Sequence, residues 1–145
     1  MKITTKGRNA IHILYDLALY GSEHPVSVKE IAGRQGISVK YTEQIISILN
    51  KGGYVSSSRG QQGGYRLTKP LEEYIIGDIL RLTEGSLAPV DCLSDGKTPC
   101  PKQCQCEAMP LWNMIDQAIR DVVDHVTLAD LVNWREEKQN TRGNV

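Results

Sequence analysis

The chain has 145 residues, 40% of them hydrophobic and 23% charged, with four cysteines and with 17 Lys and Arg balanced by 17 Asp and Glu. That length accommodates one compact domain with an appendage and excludes a large multidomain enzyme. No stretch approaches the roughly 18 consecutive apolar residues of a spanning helix, and Met1 to Gly7 lacks the apolar core of a secretory signal, so a cytoplasmic protein with no membrane partner is expected.

The zero net charge conceals a division. Residues 1–70 hold ten basic and four acidic side chains and carry +6, whereas residues 71–145 hold seven and thirteen and carry −6. The cysteines are as uneven: Cys92, Cys100, Cys104 and Cys106 lie within fifteen residues and the rest of the chain has none. This arrangement predicts two functions on two halves.

Along the chain, Ile11, Leu14, Tyr15, Ala18 and Leu19 predict a helix over 7–21 with one apolar stripe. Ser27 and Glu30 have the spacing of a capping box, flanked by Val26 and Ile31 as a hydrophobic staple, and Gly36 can stop the short helix that follows. Ser38 offers a second N-cap. From Val39 to Lys51, Tyr41, Ile45, Ile48 and Leu49 form an apolar stripe and Lys40, Glu43, Gln44, Ser47 and Lys51 a polar one. Two helices joined by a tight glycine turn make a helix-turn-helix candidate. Residues 54–58 and 65–68 are β-prone runs joined by Arg59-Gly60-Gln61-Gln62-Gly63-Gly64, a hairpin placed where a wing belongs. Arg59 at its tip can enter a narrow minor groove.

A short helix is expected over Ile76–Glu84, closed by Gly85, followed by an aperiodic loop over 86–107. Ala108 to Val126 is the longest periodic segment, with an apolar stripe of Ala108, Leu111, Trp112, Ile115, Ala118, Ile119, Val122 and Val126, wide enough for pairing with a second copy. Asp116, Arg120, Asp121 and Asp124 mark its wet side. A short helix then runs to Trp134, and 135–145 reads as a frayed polar tail.

The cysteine spacing, Cys92-x7-Cys100-x3-Cys104-x-Cys106, contains no C-x-x-C hook of the structural zinc type. In a reducing compartment such a cluster points to metal or redox chemistry. An iron-sulfur cluster, whose larger inorganic core tolerates wide spacing, is favoured over zinc and over a thiol-disulfide switch. With no cysteine beside a histidine and no phosphate loop, an enzyme is not expected.

Lys2-Ile3-Thr4-Thr5-Lys6-Gly7-Arg8, Ile31-Ala32, Gly36-Ile37-Ser38, Tyr41, Glu43-Gln44, Arg59-Gly60, Gly63-Gly64-Tyr65, Gly77-Asp78-Ile79, Glu84-Gly85 and Thr127 to Leu131 together resemble the Rrf-type winged-helix transcriptional regulators. The likeness is greatest to their iron-sulfur-cluster group, the IscR group. It implies a mainly α fold: a winged helix-turn-helix DNA-binding domain with a hairpin wing (1–85), a sensor loop (86–107), a long dimerisation helix with a return helix (108–134) and a tail (135–145). It further implies a homodimer on a double-stranded DNA operator, acting as a repressor that senses iron-sulfur or redox status. The cluster, a 2Fe-2S one, would be held by Cys92, Cys100 and Cys106. Relatives of this group carry histidine three residues after the third cysteine, where this chain has Met109, which leaves the fourth ligand open among Cys104, Glu107 and a partner's His12. The alternative is a cysteine-metabolism-type repressor that uses the thiols for zinc or redox sensing. DNA contacts implied are Ser38, Lys40, Tyr41, Glu43, Gln44 and Arg59, with Lys2, Lys6 and Arg8 on the phosphates. The side-chain chemistry agrees, since Gln44 can pair with adenine, Glu43 can accept from cytosine, and Lys40 can reach guanine or phosphate.

Overall fold

The computed structural model describes residues 1–143, and within them six helices and one hairpin are arranged as α1 (Thr5–Tyr20), α2 (Val28–Gln35), α3 (Val39–Lys51), β1 (Val55–Ser58), β2 (Gly64–Leu67), α4 (Ile76–Glu84), α5 (Met109–Val123) and α6 (Leu128–Gly143). The expected mainly α fold with a hairpin wing is what the chain adopts. No helix among the described residues is long and apolar enough to cross a membrane.

Capping sets the boundaries of the first three helices. The Thr4 hydroxyl accepts from the Gly7 N–H at 3.5 Å and starts α1 at Thr5, two residues before the expected start at position 7. At α2 the capping box forms as expected: Ser27 Oγ accepts from the Glu30 N–H at 3.2 Å, and the Glu30 carboxylate accepts from the Ser27 N–H at 2.9 Å. That backbone hydrogen bond, helped by the Ser27 hydroxyl, holds the Glu30 carboxyl below its ordinary pKa. Gly36, at φ 65, ends the helix in the left-handed region. Ser38 caps α3 by accepting from the Tyr41 N–H at 3.1 Å.

The buried faces are rotated from the predicted stripes. In α1 the core residues are Ala10, Ile13, Leu14 and Leu17, while Ile11, Tyr15 and Ala18 only flank them. Asp16 is buried as well, its side chain 1% exposed. Arg34 of α2 meets it with two hydrogen bonds of 2.7 and 2.9 Å and Gln35 adds a third at 3.1 Å, so the buried charge is paired and its lone pairs are used. In α3, Thr42 and Ile46 join Ile45 and Leu49 inside, and Tyr41 and Ile48 are half-buried. Thr42 can sit there because its hydroxyl donates back to the Ser38 carbonyl at 2.9 Å.

The antiparallel hairpin runs in register from Val55 opposite Leu67 to Ser58 opposite Gly64. Beyond it a single turn at Leu71–Glu73 leads to Tyr74, which is fully buried. Its hydroxyl donates to the Tyr54 carbonyl at 2.6 Å and accepts from the Thr68 N–H at 2.8 Å. Its main chain begins a short antiparallel pairing with the α5–α6 turn: the Leu128 N–H donates to the Tyr74 carbonyl at 3.0 Å and the Ile76 N–H to the Val126 carbonyl at 2.9 Å. Leu128 enters the same core. The C-terminal helices are thereby tied to the winged domain.

α6 continues well past Trp134. Thr127 caps it, accepting from the Asp130 N–H at 3.3 Å while the Asp130 carboxylate accepts from the Thr127 N–H at 2.8 Å. The expected tail over 135–145 is helical through Gly143, and residues 144–145 lie outside the described residues. Residues 135–139, Arg-Glu-Glu-Lys-Gln, are strong helix formers that carry no apolar period, so propensity extends the helix where periodicity is silent.

Replacing Tyr74 by Phe leaves the Tyr54 carbonyl and the Thr68 N–H, at the half-buried base of the hairpin, without this partner. The expected loss is about 1–3 kcal/mol of unfolding free energy, read from the urea midpoint at unchanged slope.

Candidate nucleic-acid interface and cysteine loop

α3 presents Lys40, Glu43, Gln44 and Ser47 to solvent on one face. Among the described residues the side chains of Lys40, Glu43 and Gln44 make no hydrogen bond or ion pair, so their donors and acceptors are free for a base edge. Tyr41 is half-buried against the core and offers only one edge, while Ser38, committed as the cap, keeps its hydroxyl proton to donate. An α-helix fits the roughly 12 Å width of the major groove, and this face is dressed to read it.

The wing is fixed relative to that helix by the backbone. Val26 and Tyr65 exchange two hydrogen bonds, of 3.0 and 2.8 Å, so the strand after the wing tip pairs with the residue just before the α2 cap. Gly64 permits this approach, because a Cβ there would collide with the Val26 carbonyl. At the tip, Gly60 takes φ 117 and its carbonyl accepts from the Gly63 N–H at 3.0 Å. Arg59 is exposed beside that turn and has no ion-pair partner among the described residues. The structure thus brings Ser38, Lys40, Tyr41, Glu43, Gln44 and Arg59 onto two elements locked in one body. Lys2, Lys6 and Arg8 are exposed on a separate segment, the start of α1, which is docked on the end of α4.

Sequence reasoning misses both that docking and the Val26–Tyr65 pairing. Glu84 accepts from the N–H and the hydroxyl of Thr4, 80 residues away in the chain, and no local pattern marks such a contact.

The chain leaves α4 through Gly85 at φ 81 and runs to α5 with two single turns, Asp91–Leu93 and Gln103–Gln105, that carry Cys92 and Cys104. All four thiols are free; Cys100 and Cys104 are exposed, Cys92 and Cys106 half-buried. The loop is moored by the buried Leu87, and within it Lys97 and Asp91 form an exposed ion pair of 3.0 Å. Among the described residues no three Cys, His, Asp or Glu side chains converge as a metal site, so the cysteines share a loop but not yet a point. As a donor set, four thiols suit iron-sulfur or zinc chemistry. Glu107 stands beside Cys106, whereas His12 lies on α1 with Ile11, Tyr15, Leu131 and Trp134, in a groove between α1 and α6.

No residue of α5 is buried. The broad predicted stripe divides: Trp112 and Ile119 are half-buried, Ile119 packing on the core together with Val123, which the stripe did not include, and Leu111, Ile115, Ala118 and Val122 are exposed. The exposed four are spaced 4-3-4, the step of a coiled-coil seam, and Val122 and the adjoining Met114 are 62% and 70% exposed. The side expected to be wet is partly tied down: Arg81 of α4 grips Asp124 with bonds of 2.7 and 3.0 Å, and Arg120 reaches Asp116 at 2.8 Å. The Arg81 hydrogen bonds hold the Asp124 carboxyl below its ordinary pKa.

Residues 3–134 match the family Rrf2, described as iron-dependent transcriptional regulator. The chain is 43% identical over 133 residues to protein rrf2 of Nitratidesulfovibrio vulgaris, which covers 91% of this chain and 87% of that one. Among solved structures it is similar to T. potens IscR, with 39% identity, a TM-score of 0.76 and coverage of 96% of this chain and 91% of that chain. It is similar also to CymR, the global cysteine regulator of B. subtilis, with 37% identity, a TM-score of 0.75 and coverage of 92% and 98%.

Two substitutions separate the parts of the interface. Gln44→Ala is expected to cost about 1–3 kcal/mol of discrimination at one base pair, and Arg59→Ala to weaken binding and relax preference for a narrow minor groove. Fluorescence anisotropy against single-position operator variants reads both, and unchanged affinity for Arg59→Ala removes that residue from the interface.

Proposed function

The chain belongs to the Rrf2 family of transcriptional regulators, and from that we propose that it is a homodimeric DNA-binding repressor whose cysteine loop senses iron-sulfur or redox status. The observation that carries this reading is the position of the loop. Four free thiols sit on the covalent path from the winged domain to α5, the helix with the exposed seam. Whatever draws those thiols together acts on the link between the DNA-reading elements and the surface that pairs two copies.

In this reading residues 1–85 bind DNA, 86–107 sense, and 108–134 dimerise. Ser38, Lys40, Tyr41, Glu43 and Gln44 address the major groove, Arg59 the minor groove, and Lys2, Lys6 and Arg8 the phosphates. Two copies joined along Leu111, Ile115, Ala118 and Val122 present two such sets to a two-fold operator. Cys92, Cys100 and Cys106 would hold a 2Fe-2S cluster, with Cys104 as the fourth donor from the same loop. Such a cluster supplies a set of thiolate bonds that form or break with iron supply and oxidation. Regulation would require the loop with its thiols converged to differ from the loop with its thiols apart, because a ligand shifts only an equilibrium whose two states it distinguishes.

Met109 favours a second reading. A thioether stands where the resembling cluster regulators carry imidazole, so zinc or reversible thiol oxidation is the rival use of the same four cysteines.

Anaerobic purification with iron, acid-labile sulfide and zinc counts decides between them. Iron and sulfide with visible absorption are expected; zinc without sulfide selects the rival, and thiols that bind neither and leave DNA affinity unchanged on oxidation sink both. For the assembly, Val122→Asp places a charge in the seam and is expected to yield monomers in sedimentation equilibrium, with a matching loss of affinity for a two-fold operator.

A further inference from the structure

The last turn of α4 ends in a carboxylate, Glu84, that helix stability does not explain, since a negative charge there opposes the partial negative end of the helix dipole. It forms no ion pair among the described residues. Its Oε1 instead accepts from the Thr4 N–H at 3.1 Å and from the Thr4 hydroxyl at 2.8 Å. Thr4 is the N-cap of α1, so one residue both starts that helix and docks it. One turn on, Gly7 is buried, and a Cβ there would strike the Glu84 carboxylate. The start of α1 and the end of α4 therefore meet closely, and a side chain at position 7 would displace the Glu84 carboxylate from its place beside Thr4.

What surrounds this junction gives it consequence. Lys2, Lys6 and Arg8, all exposed, flank Thr4. Directly after Glu84 the chain turns at Gly85 into the cysteine loop, and one turn before it Arg81 grips Asp124 at the end of α5. The last turn of α4 thus touches the basic N-terminal segment, the loop and the seam helix at once.

We infer that Glu84 is a positioning residue for DNA binding: through Thr4 it holds the Lys2–Arg8 segment in place, and it passes rearrangement of the cysteine loop to that segment. The second part rests on the sensing role proposed above; the first rests on the Glu84–Thr4 geometry together with the phosphate contacts proposed above for Lys2, Lys6 and Arg8. When the end of α4 turns, the carboxylate leaves Thr4, the first turn of α1 loses its dock, and three cations lose their common placement. For every phosphate that the protein then fails to neutralise, the slope of log affinity against log salt becomes shallower by about 0.9.

The test measures DNA affinity of the full chain over a range of salt, on a duplex selected from a random pool by the wild-type protein. The variants are Glu84→Ala, Glu84→Gln, Thr4→Val and the double Glu84→Ala/Thr4→Val, each reconstituted with iron and sulfide and also stripped of iron. Circular dichroism and sedimentation confirm that fold and assembly are kept. Glu84→Ala and Thr4→Val are each expected to make the slope shallower by about one to three per protomer, the double variant no further. Glu84→Gln, whose amide oxygen still accepts from Thr4, is expected to match wild type. The ratio of affinities between the reconstituted and stripped forms is expected to fall towards one in the Ala and Val variants. An unchanged slope in Glu84→Ala and Thr4→Val, or a Gln variant as impaired as Ala, overturns the inference. A wild-type affinity indifferent to the state of the loop sinks the sensing role instead, while the slopes still decide whether Glu84 positions the segment.

Discussion

The rest of the structure depends on a short piece of main chain, Tyr74 to Ile76, pairing with the turn at Val126 to Leu128. On one side the Tyr74 hydroxyl is bonded to Tyr54 and Thr68, at the two ends of the wing. On the other, Leu128 is drawn into the same core. Two backbone hydrogen bonds and one buried phenol therefore join the wing, α4 and the C-terminal helix pair. Buried polar groups tolerate no loose alternatives, because each unpaired one costs its full desolvation. The junction is accordingly well specified, and it leaves the loop over 86–107 as the part between α4 and α5 that is bound least.

Around this junction the polar contacts divide by purpose. Asp16 with Arg34 and Gln35 ties α1 to α2, and the Val26–Tyr65 pairing ties α2 to the wing. These make the reading head rigid, as recognition of base edges requires. Arg81 with Asp124 and Glu84 with Thr4 lie at the rim, where α4 faces α5 and the N-terminal segment. Rim interactions between half-exposed groups are weak enough to be exchanged, which is what a regulated joint needs. The charge division of the sequence runs alongside: the basic half holds the helix-turn-helix and the hairpin, the acidic half the thiol loop and the last two helices.

Much of the fold was legible because its signals are local. The capping box of Ser27 and Glu30, the left-handed Gly36, the Ser38 cap, the glycine-rich tip at 60–64 and the thiol window all depend on residues close to one another in the chain. Legibility failed where a distant partner changed the meaning of a residue. Asp16 is buried in α1 only because Arg34 and Gln35, from the next helix, take up its carboxylate. The wide stripe of α5 reads as one surface, yet packing against the core claims Ile119 and Val123 and leaves Leu111, Ile115, Ala118 and Val122 uncovered. α6 outran its period because helix propensity needs no apolar face.

The sequence by itself determined the order and kind of the main elements, the exposed polar face of α3 and the collection of four thiols in one loop, since capping, periodicity and composition act over a few residues. Only the tertiary structure decided which half of α5 stays open, how the wing is anchored to Val26, and that Glu84 meets Thr4. Those depend on pairings between residues tens of positions apart, whose geometry exists only once the chain has packed.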